Sequence, residues 1–188
     1  FIAASPDGII CDASSELFGR MLEIKNVVSR EITGIPKMEN WIQMQLQMEV
    51  CNLNECDFLE TKFIEYTDLE EYLEDFDESK YKGTFLQFLK HGEPVYIYPP
   101  FLLNDVNSVE YNTWYQEQLI ENKDLELIKT IYWKLQVISC VLVMRNKFWF
   151  ANILPLIQTF WNTLVKERED GSYKDRYSKK RKLKMEDE

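Results

Sequence analysis

At 188 residues, with 45% hydrophobic and 14% aromatic side chains, the chain has apolar material for one sizeable core and lacks the composition of a disordered segment. Its net charge of −10 argues against a uniformly basic nucleic-acid surface. No apolar run approaches the roughly 20 residues that cross a bilayer, since Val137 to Met144 stops at Arg145, Asn146 and Lys147.

The N-terminus lacks the basic-then-apolar layout of a secretory signal. Cys11, Cys51, Cys56 and Cys140 form no CxxC pair or disulfide-like spacing. Both features point to an intracellular, reducing compartment rather than to secretion. The chain opens with Phe1 rather than Met, which leads us to expect a longer parent protein.

In chain order, Gly8 to Asp12 and Met21 to Val28 read as two short strands joined through Ala13 to Arg20 in an antiparallel hairpin. Gly34 and Pro36 precede Met38 to Val50, where Trp41, Met44, Gln45 and Met48 recur at helical spacing. Cys56 to Tyr66 alternates as a strand does. An acidic insertion is expected over about 65–93, with some helical pattern, followed by a short strand in Pro94 to Pro100. Tyr111 to Lys123 and Leu125 to Tyr132 read as helices, and Trp133 to Arg145 fits either a helix or a strand. Trp149 to Arg168 has helical periodicity, with Pro155 placed to kink the helix or begin its main body. The order predicts a mixed α/β (α+β) domain, with a core over residues 1–168 and a basic tail over 169–188.

The charge is uneven. Glu65, Asp68, Glu70, Glu71, Glu74, Asp75, Asp77 and Glu78 run without a base, which reads as a solvated surface or a docking face. The tail carries "KKRKLK", which fits a nuclear-import address, a DNA-backbone contact or a soluble end.

The stretch "SPDGIICDASSELFGRMLEIK" combines a turn former with a same-face acid and base. Strand alternation sends Leu22 and Ile24 one way and Glu23 and Lys25 the other, with Ile24 expected to anchor the strand in the core. Asp7 precedes Glu23 by one strand, a turn and a return strand, so the hairpin can bring the two carboxylates together. Two carboxylates suit a hard divalent cation such as Mg²⁺, and an adjacent ammonium can orient a water and offset charge on a phosphate oxygen. Pro-Asp-Gly alone is a turn and Glu-x-Lys alone a solvated ion pair; their conjunction carries the signal. Gln43, Gln45 and Gln47 follow on the helix, with Gln45 on the face of Trp41 and Met48, where an amide can bond a water or a phosphate.

SPDG, then LEIK, then a helix with QxQxQMxV, then a strand beginning CDF resembles the YqaJ-type viral recombinase nucleases. These are relatives of phage lambda exonuclease in the restriction-endonuclease-like PD-(D/E)xK superfamily. The likeness covers Ser5 to Phe63 and continues more weakly at "YWKLQVISCVLVMRNKFWFANILPLIQTFW", in the manner of large DNA viruses of eukaryotes.

The resemblance implies a restriction-endonuclease-like core, a central mixed sheet flanked by helices. It implies that Asp7, Glu23 and the Ile24 carbonyl bind Mg²⁺, with Mn²⁺ able to substitute, and that Lys25 assists the water. Gln45 would be the active-site glutamine and Gln43 a helper, both touching DNA. The implied activity is hydrolysis of double-stranded DNA from an end in recombination, replication or repair, with a single-strand annealing protein and a ring-forming homo-oligomer as possible partners. No membrane partner is implied, and a viral protein of this kind would work in the host cytoplasm or nucleus. Family members carry a helical region ahead of SPDG, which this chain would lack.

His91 is the only histidine and sits in the turn-like "KHGEP", which excludes a multi-histidine metal site. No Gly-rich phosphate loop or zinc spacing is present. The alternative to a nuclease is a catalytically silent nuclease-like scaffold for protein interaction or DNA binding.

Overall fold

The computed structural model describes residues 1–76, 81–101, 103 and 105–176. The "KKRKLK" run, and Asp77 and Glu78 of the acidic run, lie outside the described residues. The fold is mixed α/β: among the described residues, six strands form one sheet with helices beside it.

The chain divides into two compact units, the first Phe1–Glu23, Pro36–Asp57 and Leu142–Glu188, the second Ile24–Ile35 and Phe58–Val141.

The first unit holds β1 (Gly8–Ile9), the start of β2 (Met21–Asn26), α1 (Met38–Val50) and α4 (Lys147–Asp170). The predicted hairpin forms, with Gly8 opposite Leu22 and Ile9 opposite Met21. Its loop is closed by Ile10 N–H to Arg20 O at 3.0 Å and Gly19 N–H to Ile10 O at 2.8 Å. The predicted α1 forms over the expected span and buries Met44, Gln45, Gln47 and Met48. It ends in a Schellman motif, in which Asn52 takes φ 54°, the Leu53 N–H reaches Met48 O at 2.8 Å and the Asn52 N–H reaches Glu49 O at 3.3 Å. Trp41 meets Trp149 of α4 edge-on at 5.1 Å. In α4, Asn146 caps the first turn by accepting from Trp149 N–H at 2.9 Å, and Gly171 ends the helix at φ 77°. Pro155 sits inside this helix, so the Ala151 carbonyl loses its usual donor.

One expectation for β2 is reversed. Ile24 is 39% exposed whereas Glu23 is 1% exposed, so the charged residue lies on the face shared with buried Met21. The physical reason is in α1, whose glutamine amides supply the polar partners that make burying a carboxylate tolerable.

The second unit contains α2 (Leu69–Glu74), β4 (Lys82–Lys90), β5 (Glu93–Ile97), α3 (Val109–Glu121) and the larger parts of β3 (Glu55–Glu65) and β6 (Glu126–Met144). The range expected as an acidic insertion supplies β4, which is paired on both sides in the sheet. Its Leu86 and Phe88 form a buried cluster with Tyr111 and Trp114 of α3. A two-residue loop joins β4 to β5, with Lys90 opposite Glu93 and both His91 (φ 52°) and Gly92 (φ 88°) left-handed, the pattern of a type I′ turn. His91 is exposed, as its turn context suggested.

Leu125 to Tyr132, expected as a helix, is instead the start of β6. Phe85 pairs with Ile131 and Leu86 with Thr130, so ladder bonds to β4 override a helical pattern that was too short to discriminate. The acidic run also does structural work here: Asp68 caps α2 by accepting from Glu71 N–H at 2.9 Å, and Asp75 accepts from Tyr66 Oη at 2.8 Å and Lys134 Nζ at 2.6 Å.

The strand order is β1-β2-β3-β6-β4-β5. Arg20 reaches Glu55 and Asp57, while Val27 N–H bonds Thr61 O at 2.7 Å, so contacts advance in the same direction on β2 and β3. That is the sense expected of parallel strands joined through a helix, here α1. Arg145 N–H to Asn54 O and Tyr66 N–H to Tyr132 O run oppositely, as in an antiparallel β3–β6 pair.

Candidate functional site

The first unit buries several polar side chains of β2 and α1. Glu23, Gln45 and Gln47 are all almost wholly buried, and such groups persist only where partners satisfy them.

The β1–β2 ladder pairs Gly8 with Leu22, so Asp7 and Glu23 each adjoin that pair, one on either segment. Asp7 is exposed in the bend that precedes β1, whereas Glu23 is buried on β2. Gln43 Nε2 donates to Glu23 Oε1 at 2.6 Å and Gln47 Nε2 donates to Glu23 Oε2 at 2.7 Å. The two glutamines lie four residues apart, on neighbouring turns of one helix face, so their amides reach the two oxygens of one carboxylate.

Gln45 lies on a different face. Its Nε2 donates to Met144 O at 3.0 Å and its Oε1 accepts from Asn146 N–H at 2.6 Å, which fastens α1 to the junction where β6 ends and α4 begins. The structure therefore brings Gln43 and Gln47 to Glu23, sets Asp7 one residue before the Gly8–Leu22 pair, and engages the Gln45 amide elsewhere. The boundary between units falls between Glu23 and Ile24, so Ile24 and Lys25 follow directly on β2 but belong to the second unit. Along the strand itself, Lys25 is the next residue on the face of Glu23.

Two residues of this region escaped the sequence reading. In the sequence Gln47 is one of three alternating glutamines, and its i, i+4 relation to Gln43 is the signal for a shared partner. Arg145 ends an apolar run in the sequence, and its Nε donates to Glu49 Oε2 at 2.7 Å and its Nη1 to Asn52 Oδ1 at 3.0 Å and Leu53 O at 3.3 Å. A cation at the carboxyl end of α1 complements the helix dipole. The Arg145 hydrogen bond holds the Glu49 carboxyl below its ordinary range.

The donor set is oxygen throughout, which suits a hard cation. Among the described residues no group of three or more His, Cys, Asp or Glu converges, so the protein ligands would be two carboxylates and carbonyl oxygen, with water completing the shell as Mg²⁺ prefers. Each Glu23 oxygen accepts from one helix amide. Gln47 Oε1 is a buried acceptor with no hydrogen-bond partner. These features fit a hydrated divalent cation.

No protein-family model matches the chain. The chain is 30% identical over 218 aligned residues to an uncharacterized protein of Acanthamoeba polyphaga mimivirus. The match covers 95% of this chain and 39% of the length of that relative. No helix among the described residues is long and apolar enough to cross a membrane.

Proposed function

We propose that the chain is a divalent-metal-dependent deoxyribonuclease, an exonuclease that hydrolyses double-stranded DNA during viral recombination, replication or repair. The observation that carries this reading is the Glu23 carboxylate, buried, held at both oxygens by helix amides, on the strand whose Leu22 pairs with the Gly8 that follows Asp7. A carboxylate buried at such cost needs a use, and a cation bound between two strands is one that the oxygen donors favour. The viral relative is compatible with the setting.

On this reading Asp7, Glu23 and the Ile24 carbonyl would hold Mg²⁺ or Mn²⁺, which would supply a Lewis acid for a phosphate oxygen. Gln43 and Gln47 keep the Glu23 carboxylate from rotating, so it meets the cation in one orientation. Lys25 Nζ donates to the attacking water and offsets the negative charge gathering on the phosphate. The macromolecular partner is double-stranded DNA, with a single-strand annealing protein and further copies of the chain in a ring as the partners that the resemblance adds.

The test is hydrolysis of linear against covalently closed duplex DNA with Mg²⁺ by the full-length protein, Glu23→Gln and Lys25→Ala. Loss of linear-duplex digestion in both variants, with circular dichroism unchanged, is the expected result. Digestion at the wild-type rate by both variants refutes the assignment. Duplex binding without hydrolysis by the wild type supports the silent scaffold instead.

A further inference from the structure

We propose that Gln47 is a positioning residue, a strut that sets the spacing of the Asp7 and Glu23 segments and turns its second amide atom toward the water shell of the bound cation. This rests on the nuclease reading of the same site.

The Gln47 side chain is 2% exposed and comes from the middle of α1, between buried Met44 and Met48. Its Nε2 carries two hydrogens. One goes to Glu23 Oε2 at 2.7 Å and the other to the Ser5 carbonyl at 3.1 Å. Ser5 lies two residues before Asp7, so a single amide nitrogen ties the segment that carries one carboxylate to the side chain of the other. Gln43 donates only to the Glu23 side of the pair in the bonds seen here, at 2.6 Å.

Both partners of Nε2 are acceptors, which settles the orientation of the amide. Flipping it would set Oε1 against a carboxylate and a carbonyl, two repulsive contacts in place of two bonds. Oε1 must therefore face away from them, and there it is buried without a donor. A buried acceptor in this position is costly unless something donates to it. The donor that completes it is a water of the cation, next to the carboxylate that the same side chain holds. Gln47 touches neither substrate nor, in this assignment, the cation, and acts through its neighbours.

The experiment measures Mn²⁺ binding by electron paramagnetic resonance on the full-length protein, with thermal unfolding and Mn²⁺-dependent hydrolysis alongside. The variants are Glu23→Gln, Gln47→Met, Gln47→Asn and Thr84→Val. Gln47→Met keeps the volume without the amide, and Gln47→Asn keeps the amide but shortens its reach, so one of the two remains informative if the other does not fold. Outer ligand partners typically carry 10- to 100-fold in metal affinity, so each Gln47 variant should weaken Mn²⁺ by about that factor. The Mn²⁺ concentration for half-maximal hydrolysis should rise in parallel, with the rate at saturating metal restored to within a few-fold. Thr84→Val removes a buried hydrogen bond to Tyr111 in the other unit and should lower the unfolding temperature without changing Mn²⁺ affinity. Folded Gln47 variants that bind Mn²⁺ within about twofold of wild type would overturn the proposal, with the nuclease reading intact. Absent wild-type binding, or binding indifferent to Glu23→Gln, overturns that reading and this inference with it.

Discussion

Replacing Gln45 by Met separates two roles for one residue. The resemblance makes Gln45 an active-site glutamine, whereas the geometry makes its amide a fastener between α1 and the β6–α4 junction. Methionine fills nearly the same volume, so the change removes two hydrogen bonds and little packing. Each bond contributes about 1 kcal/mol net, and both sit at partly buried positions where water can replace some of the loss. The expected destabilisation is therefore about 2 kcal/mol, which lowers the unfolding temperature of a chain this size by about 4–8 °C. Urea and thermal unfolding measure it, with hydrolysis assayed well below the transition. An unfolding temperature unchanged within about 1 °C, accompanied by loss of hydrolysis, would refute the fastener and return Gln45 to the chemistry.

Two pH dependences follow from the packing. Burial is the main cause that pushes the Tyr72 hydroxyl up to about 12, with the nearby Tyr111 and Asp105 adding to it, and burial together with the bond to Asp75 raises Tyr66 in the same direction. A raised value means that stability is complete below the ordinary 10 of tyrosine and is lost as pH climbs through the folded value. Urea midpoints should therefore fall above pH 10 and Tyr72→Phe should flatten that fall; an equally steep fall in the variant would contradict it. At the acid end, the lowered Glu49 carboxyl contributes stability that is present above its ordinary 4.5 and lost as pH drops through the depressed folded value. Arg145→Met should shrink the loss of urea stability between neutral pH and pH 3, and an unchanged acid limb would dissociate the pair from stability.

The local rules of the chain were enough for the hairpin, α1, β3 and most of α3 and α4, because each carries its own signal. The turn residues Pro6 to Gly8, the glycine and proline ahead of Met38, the alternation after Cys56 and the cap at Asn146 all act within a few positions of the structure they specify. The hairpin that sets the Asp7 and Glu23 segments side by side was legible for the same reason, since two strands and one connection set its register. β4 and the first half of β6 were not legible. Short apolar runs fit a helix or a strand equally well, and the choice was made by ladder bonds between residues about 45 positions apart, such as Phe85 and Ile131. Nor could alternation alone say which face of β2 is buried. That depended on α1 bringing Gln43 and Gln47 to Glu23, so that a carboxylate rather than Ile24 went inside. The sequence supplied three glutamines in a row of alternate positions; only the packing of the helix, at 3.6 residues per turn, assigned two of them to the carboxylate and the third to the backbone that joins β6 to α4.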